Sequence, residues 1–393
     1  MTVLRHYTRL YYHTCIFSVI TAMTIVMTIT SCRPAAAQVP DYQRWQHMRT
    51  VAPQGYVCYR TLGSIEIDGT IDEESWKKAP WTNYFADIEG ALQPVPRFRT
   101  RAKMLWDDYY FYFAVNLEEP HVWGTLVFRD QIVCIENDIE VFIDPDGDNQ
   151  EYYELEMSPL NVAWDLFLKK AYRDGGPADC AWEIRGLKTA VHVDGTINDP
   201  RDTDRGWSIE IAIPWDVLAH YAHRPSPPHH GDQWRVNFSR VEYPFEIVTS
   251  ENTTQDISGN AYKKTQRPGP IPCDNWSWSD QGVCNMHCPE MYGYVQFSTA
   301  PMGTDTFRPD PTLPARRVLL DIYYAQRDFR KDHERWAQNL NELGIDFGWQ
   351  KEVQKAPVLE TTAYGYRASV GITMPDGSSK TVNIYQDSKI EVK

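Results

Sequence analysis

Three groups of side chains in this sequence have the types and spacing to do chemistry. The first is a row of carboxylates. Glu140 stands in the segment Asn137-Asp138-Ile139-Glu140-Val141-Phe142-Ile143-Asp144, and Glu154 and Glu156 stand in the next apolar segment. Residues two apart on a strand share a face, so Glu154 and Glu156 point the same way. If the two segments pair, like charges face each other, which is unfavourable unless a cation, a basic side chain or a ligand hydroxyl stands between them. Arg240 and Lys169 are the candidate neutralisers. Three readings stay open: salt-bridged surface strands, hydrogen bonding to a ligand, or the acid and base of a glycosidase. The second group is Asp144, Asp146 and Asp148, at alternate positions of an acidic turn. Calcium takes several carboxylate or carbonyl oxygens on such a loop. The helix-flanked calcium-loop pattern is absent, so a solvated hairpin tip is the competing reading. The third group is Trp276 and Trp278 with Asn285, His287 and Tyr292. The flat face of a sugar ring stacks on an aromatic ring while amides and carboxylates bond its hydroxyls. In an extended segment Trp276 and Trp278 cannot both face inward, which leaves one of them for the surface or a site.

The elements that must position these groups are strands. Between residues 65 and 297 the pattern is short alternating apolar segments split by turn residues such as Asp68-Gly69 and Asp107-Asp108. Residues 138–143 alternate with Ile139, Val141 and Ile143 on one face, and residues 186–193 and 206–213 read as a pair. Trp106, Trp164, Trp207 and Trp215 sit in strand patterns and read as core. Many short strands without alternating helices predict a mainly β chain, a β-sandwich rather than a βαβ sheet. Pro301, Pro309, Pro311 and Pro314 mark a linker over 299–314. Apolar residues at three- and four-residue steps over 315–343 predict an amphipathic helix stopped by Gly344. Residues 358–392 read as a small β extension with Asp376-Gly377 as a hairpin turn. Residues 315–393 are thus a helix plus β tail.

Composition bounds the partners. The 393 residues carry 39 basic and 53 acidic side chains, a net of −14, which argues against nucleic acid. The 14 Trp and 23 Tyr are more amphipathic rings than a core needs, and suit a binding surface. Arg5 and Arg9 precede an apolar stretch over residues 15–29, short of the ~20 residues of a membrane span. Ile29-Thr30-Ser31-Cys32 reads as a lipobox, with 1–31 a signal peptide, Cys32 the acylated residue and 32–55 a polar tether. Ala35-Ala36-Ala37 offers ordinary cleavage instead. Either way the chain is exported, to the periplasm or the outer membrane and cell surface. Cys58, Cys134, Cys180, Cys273, Cys284 and Cys288 remain, an even number in an oxidising compartment, so a mixture of disulfides and free buried thiols is plausible, with no role, or a metal role for Cys284 and Cys288, as the alternatives.

Several segments together carry a resemblance. Ile67-Asp68-Gly69-Thr70-Ile71-Asp72 with Trp76 resembles the opening of a family 9 carbohydrate-binding module. Ala102-Lys103-Met104-Leu105-Trp106-Asp107-Asp108-Tyr109-Tyr110, the 137–144 strand, Gly206-Trp207-Ser208-Ile209-Glu210-Ile211-Ala212-Ile213-Pro214-Trp215 and Trp276-Ser277-Trp278-Ser279-Asp280 follow in the family's order. The resemblance covers residues 56–298 and implies an Ig-like or jelly-roll β-sandwich that binds sugars, often beside xylan- and cellulose-degrading hydrolases and sometimes with calcium. It implies that Glu140 bonds sugar hydroxyls and places Asn285 near a family amide. The two tryptophans that clamp a terminal sugar in the family would fall near Cys134 and near Met286 or His287, and neither position is Trp.

The combined expectation is an exported, lipid-anchored, non-catalytic protein that binds a glycan and serves polysaccharide breakdown with a partner hydrolase or uptake complex. Glu140, Glu154 and Glu156 would bond hydroxyls, Trp276 or Trp278 would stack, and Asn285, His287 and Tyr292 would line the rim. The rivals are a glycoside hydrolase using paired glutamates and a cell-surface scaffold without ligand.

Overall fold

The computed structural model describes residues 40–247, 262–267, 272–344 and 348–393. The signal segment and Cys32 lie outside the described residues. The strands run in chain order as β1 (Gly55–Arg60), β2 (Ala86–Asp87), β3 (Thr100–Trp106), β4 (Tyr110–Glu118), β5 (Asp138–Asp144), β6 (Gln150–Met157), β7 (Ala163–Lys170) and β8 (Ala178–Asp179). They continue as β9 (Lys188–Asp194), β10 (Gly206–Pro214), β11 (Gln233–Glu242), β12 (Phe245–Ile247), β13 (Tyr262–Lys264), β14 (Asp274–Ser277) and β15 (Gly293–Ser298). β16 (Val358–Thr361), β17 (Tyr366–Thr373), β18 (Ser379–Tyr385) and β19 (Ile390–Val392) form a separate four-stranded sheet. Helices are α1 (Asp41–Met48), α2 (Glu74–Lys78), α3 (Trp215–Leu218) and α4 (Leu313–His333).

The main sheet has the order β8-β7-β6-β5-β11-β15-β1-β3-β4-β10-β9, with β14 on β11 and β2 on β14. Its two ends share one core. Ile139, Val141 and Ile143 of β5 and Leu155 of β6 pack with Phe111 and Phe113 of β4 and Ile209 and Ile211 of β10. Strands so far apart in the order can share a core only if the sheet curls until its halves face each other. The architecture is therefore mainly β with a sandwich-like core, as the strand pattern predicts, but one continuous curled sheet supplies both layers. The inward residues alternate with outward ones along each strand, which is why β5 sends its carboxylates to the opposite face. Trp106, Trp207 and Trp215 are core, as expected.

The segment that closes on the outer sheet carries the Ile67–Asp72 pattern. Glu210 of β10 accepts from the backbone N–H of Asp68 (3.0 Å) and Gly69 (2.8 Å) and from Trp76 Nε1 (2.7 Å). Gly69 has φ +89°, and a Cβ there would lie 2.6 Å from the His192 nitrogen, so only glycine fits this approach.

Residues 41–48, expected in a tether, form α1 instead. Trp45 and Met48 share its buried face, and Trp45 stacks on Tyr324 of α4 at 5.2 Å and donates to Asp321 at 2.8 Å. The 299–314 stretch also packs: Asp305 bonds the hydroxyls of Tyr59 and Ser298, and Phe307 lies against Gly55. The predicted 315–343 helix stops at His333, where Glu334 turns left-handed at φ 56°. Trp336 then folds back against Tyr366 of β17, so the apolar spacing is met by packing rather than by a longer helix. The tail docks on the module. Asn149 and Gln150 side chains donate to the carbonyls of Ser388 and Asp387, each at 3.0 Å, and Arg173 Nε donates to the Tyr323 hydroxyl of α4 at 3.2 Å. All six described cysteines are free thiols, buried or half-buried, the free-thiol alternative of the sequence rather than the disulfides their even number made plausible.

Candidate functional site

The outward face of β5 and β6 gathers the carboxylates. Glu140 lies opposite Glu156 and Phe142 opposite Glu154, while β11 sets Ser239 beside Glu140. Asp138, which sequence reasoning passed over, shares the face: it stands two residues before Glu140, a spacing that was visible in the sequence. One oxygen each from Asp138, Glu140 and Glu156 falls within 4.8 Å of the others. All four acids are buried; Glu140 is 5% exposed. Glu156 accepts from the Cys134 backbone N–H at 2.8 Å, and Asp138 accepts from Val241 N–H at 3.3 Å. The Asp138 Oδ2 and Glu154 Oε2 atoms have no hydrogen-bond partner among the described residues.

Among the described residues no base compensates this floor. Arg240, one residue along from Ser239, faces away and binds Glu119 and Glu242, both at 2.9 Å. Lys169 is exposed, on the opposite parity of β7 from Leu166 and Leu168, which pack toward the floor. Neither neutralises the row as the sequence suggested, and the row is not a salt-bridged surface either. Burial, then mutual repulsion, pushes the carboxyls of Asp138, Glu140 and Glu154 well above the usual range, and burial pushes Glu156 up to about 7.

Two segments cover the floor. Val133 and Cys134 from one, and Cys284, Met286 and Tyr292 from the other, pack with Phe142, Tyr152, Trp164 and Leu166 of the sheet. His287 places Nδ1 3.0 Å from the Tyr152 hydroxyl and its ring against Phe142 and Tyr172. Burial, with Arg173 adding to it, holds its pKa down to about 3, so the ring is neutral. Tyr292 donates to the Met286 carbonyl at 2.9 Å, and Asn285 Oδ1 accepts from His287 N–H at 2.9 Å. The structure thus brings Glu140, Glu154, Glu156, His287 and Tyr292 to one face, with Asn285 shaping the turn above. The cover also carries exposed apolar residues: Phe128, 71% exposed, with Val127 and Ile135. Sequence reasoning missed these because exposure, not residue type, is their signal.

Trp276 and Trp278 do not belong to this face. They are 2% and 3% exposed, inside the main core. Trp276 packs between Arg97 and Arg240, each 5.2 Å from its ring, and Trp278 packs on Gly293, Tyr56 and Phe238. The alternation argument fails because β14 ends at Ser277. Beyond it the chain turns, with Trp278 N–H on the Phe238 carbonyl, and both rings go inward.

The second acidic group also differs from a solvated tip. Asp144, Asp146 and Asp148 converge to within 4.8 Å, but under the tail. Asp144 accepts from Gly147 and Asn149 N–H at 2.9 and 3.0 Å, and Asp148 accepts from Gln150 N–H at 2.8 Å and pairs with Lys389 at 3.3 Å. The Ile390 N–H meets the Asp148 carbonyl at 2.9 Å. Three carboxylates fit the oxygen donors calcium takes. Here backbone N–H groups and Lys389 already supply much of that compensation.

Comparison with known proteins gives the family. Residues 67–269 match the family model described as carbohydrate family 9 binding domain-like. A 165-residue stretch is 28% identical to the exoglucanase XynX of Acetivibrio thermocellus, taking in 41% of this chain and only 12% of that enzyme. A carbohydrate-binding candidate from Bacteroides uniformis aligns over 63% of this chain and 100% of its own, at 14% identity and a TM-score of 0.45. A family 9 carbohydrate-binding module of Caldicellulosiruptor kristjanssonii in complex with cellotriose aligns over 65% of this chain and 100% of its own, at 14% identity and a TM-score of 0.35. The family match takes in more than half of the 393 residues, and the chain belongs to the carbohydrate family 9 binding domain-like family.

Proposed function

We propose that this protein is a non-catalytic glycan-binding module, exported, anchored through lipid on Cys32, and employed in breakdown of xylan- or cellulose-type polysaccharides. The observation that carries the binding reading is the β5–β6 face. Glu140, Glu154 and Glu156 line up there beside Ser239 and Asn275, with Glu154 Oε2 and the neighbouring Asp138 Oδ2 in want of donors. Sugar hydroxyls are neutral donors. They satisfy buried acceptors without adding like charge, which a basic side chain elsewhere in the sheet does not do. The 125–136 and 280–292 segments must lift for a sugar to reach the floor, and Phe128 and Ile135 then offer apolar surface at the rim. Hydrolysis is the weaker reading, because an acid and base need solvent and room for the scissile bond between them.

The family name and the cellotriose and glucose complexes of the Caldicellulosiruptor module support the choice of sugars to try. Affinity electrophoresis through xylan and soluble cellulose derivatives tests binding directly. Retarded migration supports the reading, and unretarded migration of the folded protein against every polysaccharide sinks it. Incorporation of labelled palmitate, lost in Cys32→Ala, tests the anchor separately.

A further inference from the structure

The other half of the curled sheet carries a cluster of cations that no acid answers. Ala102, Met104 and Trp106 of β3 enter the main core, so Arg101 and Lys103 point to the outer face. Arg99 precedes the strand on the same parity. The 81–85 segment is held along the edge of β3 by backbone: Thr82 N–H donates to the Ala102 carbonyl at 2.8 Å and Phe85 N–H to the Thr100 carbonyl at 2.9 Å. That sets two rings among the cations. The Arg101 guanidinium lies 4.1 Å from the Trp81 ring centre and 5.4 Å from that of Tyr84. Arg99 lies 5.5 Å from Tyr84, and the Lys103 ammonium 4.4 Å from Trp81. Tyr84 is 50% exposed, Arg99 is exposed and Arg101 half-buried. Among the described residues none of the three cations pairs with a carboxylate. Glu118 spends Oε2 on the Arg99 backbone N–H at 3.1 Å, whereas Arg97, just outside the cluster, pairs with Glu242 and Asp274. Lys103 is buried, and its ammonium donates only to the Trp76 carbonyl. Burial, then the charge of Arg101, holds its pKa down to about 8. A buried ammonium beside a second cation is costly until an anion joins them.

We propose that Arg99, Arg101 and Lys103, with Tyr84 and Trp81, form a second glycan site, which takes the carboxylate of a uronic acid branch on an otherwise neutral chain. A guanidinium fork matches a carboxylate with two parallel hydrogen bonds, and Arg99 and Arg101 both present one to solvent. The half-exposed Tyr84 ring between them offers a face or edge to the sugar that carries the acid. Lys103, beneath, adds positive field rather than contact. The ligand is sparsely charged because the chain's net charge of −14 opposes a dense polyanion, a polyphosphate or nucleic acid included. That the acid belongs to a glycan rests on the carbohydrate-binding reading above. The place does not, since β3 and β5 lie in opposite halves of the sheet and share no residue of the two sites.

The test is calorimetry of the full chain in detergent with a xylo-oligosaccharide carrying one glucuronic acid branch. The same oligosaccharide with its carboxyl reduced to an alcohol is the control. At low salt the acid form is expected to bind about tenfold more tightly than the reduced form, and high salt to shrink that preference. Arg99→Gln/Arg101→Gln should erase the preference. Arg99→Gln alone, at an exposed side chain, should reduce it several-fold and guards against misfolding of the double variant. Binding of the acid form is expected to persist in Glu140→Ala, which touches only the β5–β6 face. Equal affinity for the two forms, or a preference that survives the double variant in folded protein, overturns this inference and leaves the β5–β6 reading standing. Acid-form binding that needs the arginines, with no binding of any neutral sugar, supports this inference and retires the β5–β6 reading alone. Polyglutamate that displaces the acid sugar equally well, carboxylate for carboxylate, would mark a dock for an acidic protein instead and overturns the glycan assignment.

Discussion

Arg240 offers the sharpest test of how the fold holds the β5–β6 face. It sits in β11, one residue from Ser239, and its side chain is 1% exposed. Its guanidinium reaches Glu119 and Glu242 at 2.9 Å, Thr100 Oγ1 at 3.0 Å and the Glu118 carbonyl at 2.8 Å. Glu242 in turn accepts from Asn137 Nδ2 at 2.9 Å, immediately before Asp138 enters β5. Arg240→Met would leave Glu119 and Glu242 buried and repelling each other. Removing one partner from a buried ion pair costs about 3–5 kcal/mol. The orphaned acceptors on Thr100 and Glu118 add about 1 kcal/mol each. Arg97, 3.4 Å from Glu242, stays behind and offsets part of this. A net loss of about 4 kcal/mol follows, a large share of the ~5–15 kcal/mol available to a folded chain. Replacing all three charges, Arg240→Met with Glu119→Gln and Glu242→Gln, should recover most of it, because the cost lies in the unpaired acids. Urea unfolding followed by tryptophan fluorescence, with equal slopes across variants as a check, measures both. A loss below about 1 kcal/mol for the single change, or a triple variant no more stable than the single one, would refute the reasoning.

Three further outcomes are expected. His287 refuses a proton until about pH 3 when folded, while the unfolded chain takes one near 6.5, so stability should fall as pH drops between those values, by at most about 1.4 kcal/mol per pH unit; denaturation midpoints across that range should lose this slope in His287→Gln. Trp278→Ala should cost about 3–5 kcal/mol by calorimetric or denaturant unfolding, as a core deletion does, yet leave glycan affinity per folded molecule unchanged; a selective loss of affinity would return the ring to the site. Gly69→Ala, at φ +89° and against the His192 backbone, should cost about 1–3 kcal/mol and speed amide exchange at Asp68 and Gly69, whose N–H groups bond Glu210.

The strands and the shared face of Glu140, Glu154 and Glu156 were legible because alternation is local: a two-residue period fixes which side chains go together before any partner strand is known. The family's order of segments was legible for the same reason, since each is a strand or turn with its own pattern. What the sequence hid depends on contacts between distant segments. Trp278 goes inward because β14 stops one residue earlier. Arg240 turns from the floor because Glu119, far away in the chain, binds it. The Asp144–Asp148 turn is buried because β19 lies on it, and nothing near Asp148 announces that. Residues 41–48 read as polar tether because Trp45 and Met48 acquire an apolar role only against α4. Closure of the floor by Cys134 and Met286 was invisible too, although their smaller side chains at the expected tryptophan positions were the clue that an open clamp was absent.

The central claim is that the β5–β6 face binds a glycan. Isothermal calorimetry of the full chain in detergent, against cellotriose, glucose and xylo-oligosaccharides with calcium present, tests it most directly. The account predicts saturable heat with at least one of these sugars, lost in Glu140→Ala and retained in Trp276→Phe. Heat that survives Glu140→Ala, or no heat with any sugar from protein that unfolds cooperatively, would contradict it.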